Sequence, residues 1–117
     1  MKQKILVVED DRDLSESIEE IFSDKGYFVA TAFDAFTAFR LIEENRYDII
    51  LLDLKFPGNG FNILEKSGIN ELKTRLFIIT GKDLKTATCK EQKLLQAAED
   101  IFIKPFDVED LLAKITG

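Results

Sequence analysis

The chain has 117 residues, long enough for one domain with a core that needs no staples. Its net charge of -6, with no basic stretch, argues against nucleic-acid binding, and no apolar run reaches the roughly 18 residues a membrane span needs. There is no histidine, which removes His-dependent metal sites, Ser-His and Cys-His nucleophile pairs, and a phosphohistidine role.

No signal peptide is expected before Lys4, where the first predicted strand begins. Lys4-Ile5-Leu6-Val7-Val8 is an apolar run of strand length, followed at once by Glu9, Asp10 and Asp11. Leu14, Ile18, Ile21 and Phe22 recur at helical spacing and predict a first helix, with Lys25-Gly26 as its stop. A second strand is predicted over 27–32. Ala35, Ala38, Phe39 and Ile42 then form the inner stripe of a second helix. Phe33 and Phe36 fall off that stripe and are read as local packing against the sheet edge rather than as a partner anchor.

Residues 48–53 contain four consecutive large apolar residues and end on Asp53, which suits a parallel strand covered on both faces. A short third helix is expected from about Phe61, covering Ile63, Leu64 and Lys66. The fourth strand is placed at 75–80. A fourth helix is predicted from about Leu84 to Ala97, with Ala87, Leu94, Leu95 and Ala98 inward. It carries the single Cys89, which excludes an internal disulfide, fits a reducing cytoplasm and is given no chemical role. The fifth strand is placed at 100–103, and Val108, Leu111, Leu112 and Ile115 mark a fifth helix. The alternation is (βα)5, an α/β chain with right-handed crossovers and helices on both faces of a parallel sheet. Residues 1–117 are expected to be one domain, with no linker, repeat or second domain.

Open α/β sheets place their sites at the C-terminal ends of the strands. Here those ends carry Glu9, Asp10 and Asp11, then Asp53, then Thr80-Gly81, then Lys104-Pro105. Converging carboxylates repel one another unless a cation sits among them, and hard oxygen ligands in an open, hydrated site suit Mg2+. A carboxylate beside such a cation, with an ammonium and a hydroxyl nearby, has the parts for phosphoryl transfer. Asp11 or Asp13 could instead be only a cap of the first helix.

Four segments together resemble the response-regulator receiver domain of bacterial two-component signalling across essentially the full chain. They are Ile5-Leu6-Val7-Val8-Glu9-Asp10-Asp11, Asp48 through Pro57, Ile78-Ile79-Thr80-Gly81, and Ile103-Lys104-Pro105-Phe106. The resemblance implies a doubly wound, flavodoxin-like fold of strand order 2-1-3-4-5, with Asp53 as phosphoacceptor. It implies Mg2+ held by Asp10, Asp53 and the Lys55 backbone carbonyl, with Glu9 acting through water. Lys104 would hold the phosphoryl group, Thr80 would be the switching hydroxyl, Gly81 would leave it space, and Lys104-Pro105 would be cis. The implied donor is a histidine kinase or phosphotransfer protein. The implied output is a downstream partner or output domain bound through the face of the fourth helix, fifth strand and fifth helix.

The chain departs from that family in places. Ile101 stands where an aromatic residue is usual, and Phe102 falls on the opposite face by strand alternation. The loop 55–60 is one residue short, the Thr80 to Lys104 spacing is two long, and Ala97 replaces a favoured glycine. Lys55 and Lys82 stand where they could shield a phosphoryl group, or could simply be solvated surface lysines.

The leading reading is therefore a signalling phosphoacceptor in the cytoplasm. It is not an enzyme acting on external metabolites, since it catalyses only its own phosphoryl transfer and dephosphorylation. A receiver-like interaction module that works without phosphorylation is the alternative, supported by Ile101 and opposed by the retained Asp10, Asp53, Thr80 and Lys104. A small-molecule aspartyl-phosphate hydrolase is disfavoured, because Lys55 stands where such enzymes carry a second Asp.

Overall fold

The computed structural model describes residues 3–54, 74–81 and 89–116. In chain order these form β1 (Lys4–Val8), α1 (Arg12–Asp24), β2 (Phe28–Ala32), α2 (Ala35–Glu44), β3 (Ile49–Asp53), β4 (Arg75–Thr80), α3 (Cys89–Leu95), β5 (Asp100–Ile103) and α4 (Val108–Thr116). The helix predicted near Phe61, the 55–60 loop, Lys55, Lys82 and Ala87 lie outside the described residues.

Local chemistry sets the element boundaries. Asp11 is the N-cap of α1, its carboxylate accepting from the Leu14 N–H at 3.2 Å, and Asp34 caps α2 through the Thr37 N–H at 2.7 Å. Of the two alternatives for Asp11, capping is the one the geometry supports. At the other end of α1, Gly26 takes φ +94°, its N–H bonds to Ser23 O, and the Tyr27 N–H bonds back to Phe22 O. That is the paired closure of a Schellman motif, which a residue without Cβ adopts freely.

All five strands are parallel, in the order β2-β1-β3-β4-β5. Strand alternation divides the core. Ile5, Val7, Ile49, Leu51, Phe77 and Ile79 face α1 and α4, meeting Ile18, Phe22, Leu111 and Ile115. Leu6, Val8, Ile50, Leu52, Leu76 and Ile78 face the other way, meeting Ala38 and Ile42 of α2 together with Leu95, Ala98 and Ile101. Each fully buried large side chain contributes about 1.5–3 kcal/mol, so β3, buried at all five positions, is the keel of the sheet.

Two expectations need correction. The fourth helix is predicted to run to about Ala97, but α3 ends at Leu95, where the Ala98 N–H bonds to Leu95 O and turns the chain. Ala98 still reaches the core, from the turn rather than from the helix. Phe33 is half-buried beneath the Arg12 guanidinium, 4.2 Å from its ring centre, as local packing requires, whereas Phe36 is 78% exposed. Phe33 lies before the Asp34 cap and Phe36 within α2, so the two rings are carried on different backbone geometry.

Candidate functional site

Register brings the acidic residues to one edge. Val8 pairs with Leu52, Asp53 with Ile79, and Thr80 with Ile103, so four neighbouring strands end nearly level. Three bonds continue the ladder past the strand ends: Glu9 N–H to Ala32 O at 3.2 Å, Leu54 N–H to Ile79 O at 3.2 Å, and Lys104 N–H to Thr80 O at 2.9 Å. The backbone under the site is therefore held by the same ladder that makes the sheet.

On that base the side chains of Glu9, Asp10, Asp53 and Lys104 come together. Carboxylate oxygens of the three acids lie within 4.8 Å of one another. Lys104 Nζ reaches Glu9 Oε1 at 3.0 Å and Asp53 Oδ2 at 3.1 Å. Glu9, Asp53 and Thr80 are buried, Asp10 is exposed, and Lys104 is partly covered, so the cluster opens to solvent on the Asp10 side. Thr80 ends β4, Gly81 follows it exposed, and the Lys104-Pro105 peptide is cis as expected.

Electrostatics follow from that packing. Burial pushes the Glu9 carboxyl from its ordinary 4.5 up to about 7. The Asp11 N–H and the Lys104 ammonium pull it down, and the neighbouring Asp53 carboxylate adds to the rise. Burial alone would lower Lys104, but hydrogen bonds and charge from Glu9 and Asp53 outweigh it, so its pKa is raised.

The donor set fits a small hard cation. Three oxygen-bearing acids crowd one edge with Lys104 beside them, and buried Glu9 Oε2 has no hydrogen-bond partner among the described residues. A buried acceptor left so is costly unless something positive meets it. Oxygen-only ligation with one open side suits Mg2+.

The direct Glu9–Lys104 ion pair was not foreseen from sequence, which gave Glu9 only a role through water. Neither was the bracket made by Arg75, whose guanidinium donates to both Glu99 carboxylate oxygens and to Ile115 O at the end of α4. The Asp34 cap had a readable signal in its position just before the apolar stripe of α2. The Arg75 bracket had none, because its partners lie 24 and 40 residues away.

Comparison with known proteins agrees with this architecture. The chain is 38% identical over 113 residues to the response regulator ArlR of Staphylococcus saprophyticus. It is 34% identical over 113 residues to the transcriptional regulatory protein DltR of Streptococcus agalactiae. Each match covers 96% of this chain and 50% of the relative, so the chain spans about half the length of the curated relatives it matches. Among solved structures, a CheY-like response regulator receiver domain protein from Methanospirillum hungatei superposes with a TM-score of 0.85 at 28% identity, covering 99% of this chain and 92% of that one. The family model for the response regulator receiver domain matches residues 5–116. Because that match runs from β1 through α4 and takes in every strand end described above, the chain belongs to the family of response regulator receiver domains.

Proposed function

We propose that Asp53 accepts a phosphoryl group from a histidine kinase or phosphotransfer protein, and that the change alters what the domain binds. The observation that carries this is the Lys104 ammonium, 3.1 Å from Asp53 Oδ2, with Glu9 and Asp10 beside the same carboxylate. An Asp53 oxygen attacks phosphorus, the P–O bond forms, and the P–N bond to the donor imidazole breaks as that nitrogen takes a proton. Lys104 lies where it can neutralise charge on the transferred oxygens, and Thr80 supplies a hydroxyl from the end of β4. Gly81 leaves space beside it, and Pro105 follows Lys104 out of the sheet.

Asp10 and Asp53 would hold Mg2+ directly, with Glu9 through water and the Lys55 carbonyl, which lies outside the described residues, completing the protein ligands. That ion would supply Lewis-acid neutralisation of the phosphoryl oxygens. The output would pass through the face formed by the fourth predicted helix, β5 and α4, to a downstream protein or output domain, with neither nucleic acid nor membrane bound by this domain. Residues 1–117 would act as one cytoplasmic receiver unit that catalyses only its own phosphoryl transfer and dephosphorylation. Among the described residues no helix is long and apolar enough to cross a membrane.

Intact-mass measurement after incubation with acetyl phosphate and Mg2+ tests the reading. The parent should gain one phosphoryl mass and Asp53→Asn none. A parent that stays unmodified would favour the phosphorylation-independent interaction module, and equal labelling of Asp53→Asn would remove Asp53 from its role.

A further inference from the structure

Lys104 stands just past the end of β5, an edge strand, yet its ammonium is held against two buried carboxylates on the far side of β4. Its own N–H is tied to Thr80 O, but beyond that bond the chain leaves the sheet. The next fixed point is the ring of Phe106. It lies 5.8 Å from the ring of Phe102, which lies 6.4 Å from that of Phe77 in β4. Both pairs are tilted at separations where aromatic rings attract.

The three residues before Lys104 do different things. Ile101 packs on the opposite face of the sheet, with the α2 side of the core, and Ile103 is 62% exposed. Phe102 packs on the α1 and α4 face of the core, where Phe106 from the loop after β5 packs beside it. Lys104 is thus held between two anchors, a backbone hydrogen bond before it and a ring contact after it. A long, flexible lysine needs both if its ammonium is to rest at one place.

We propose that Phe102 is a positioning residue for Lys104, acting through the Phe106 ring. The proposal rests on the reading of Asp53 as phosphoacceptor with Lys104 beside it. Replacing the ring lets the 104–106 segment shift, so Lys104 no longer settles on Asp53 in one geometry.

Two measurements test this. The first is a crystal structure of Phe102→Leu, which keeps the core filled with an apolar side chain. The Lys104 ammonium should be displaced from Asp53 or spread over several positions. Retention of both ion pairs at their present lengths would overturn the proposal. The second is the rate of labelling by acetyl phosphate with Mg2+ in four proteins: parent, Phe102→Leu, Lys104→Ala and the double variant. Phe102→Leu should slow the parent by about tenfold. In the Lys104→Ala background it should change the rate by less than about twofold, because a residue acting through Lys104 has nothing left to position. The same slowing in both backgrounds, or none in the parent, would also overturn it. A parent that does not label at all would sink the phosphoacceptor reading instead, while the crystal structure still decides whether Phe102 places Lys104.

Discussion

Lys104 and Asp53 meet at 3.1 Å across the end of β4, the strand that lies between their own. The same ammonium also reaches Glu9, so one cation spans from an edge strand to the acids after β1 and β3. Much of the behaviour of the site follows from the fact that both of its carboxylate partners are buried.

Removing the ammonium should therefore expose how strongly those acids depend on it. Lys104→Met keeps the aliphatic stem and removes the charge, leaving Glu9 and Asp53 without this partner. The variant should lose about 1–3 kcal/mol at pH 8 in metal-free buffer, measured by urea unfolding. No loss would mean that solvent already screens the pair.

Acid should act on the metal-free protein in an unusual direction. The folded Glu9 carboxyl titrates near 7, above its ordinary 4.5, so the folded state holds a proton that the unfolded chain has released. The resulting stability is fully present below about pH 4.5 and is lost as pH rises through about 7. Between pH 8 and pH 5 the Glu9 contribution should rise by about 2 kcal/mol, and Glu9→Gln should abolish it. Thermal melts of parent and variant in EDTA across that range give the answer. A parent whose pH dependence matches that of Glu9→Gln would show that Glu9 is already ordinary.

Added Mg2+ should raise the melting temperature, because it relieves carboxylate repulsion and binds only the assembled edge. At a concentration 100 times its Kd the gain is about 2.7 kcal/mol. Asp10→Ala should lose most of that gain while melting at or above the parent in EDTA. If the full Mg2+ shift persists in Asp10→Ala, Asp10 is not a ligand.

The Arg75 bracket predicts a local rather than a global effect. Arg75→Ala removes the exposed Glu99 pair and the bond to Ile115 O, so overall stability should fall by about 1 kcal/mol. Amide exchange over 111–116 should rise more than exchange in β1 or β3. Uniform acceleration would show that Arg75 supports the sheet rather than the helix end.

The sequence is most readable where apolar runs are unbroken. The buried runs 5–8 and 49–52 announced both the strands and the edge at which Glu9, Asp10 and Asp53 meet, because a parallel strand wet on neither face is apolar throughout. Family resemblance, not spacing, supplied the strand order. Asp11 stayed ambiguous because an acid after a strand serves equally as ligand or cap, and only the Leu14 N–H bond separates them. The end of α3 is hidden in the sequence because Gln96 and Ala97 are both compatible with helix, and the turn there comes from backbone bonding that sequence does not display. The packing expected of Phe36 fails because a position off the apolar stripe carries no burial signal, and its ring is exposed.

The two partners in the Lys104–Asp53 contact are carried on mechanically unequal supports. Asp53 closes a strand that is buried along its whole length and bonded on both sides, so it should open to solvent only when the entire molecule does. Lys104 hangs from a strand that, among the described residues, is bonded on one side only, with its last residue exposed. The pair works like a vice with one jaw cast into the frame and the other on a slide. A displacement of the β5 edge should therefore move the cation first and leave the carboxylate in register.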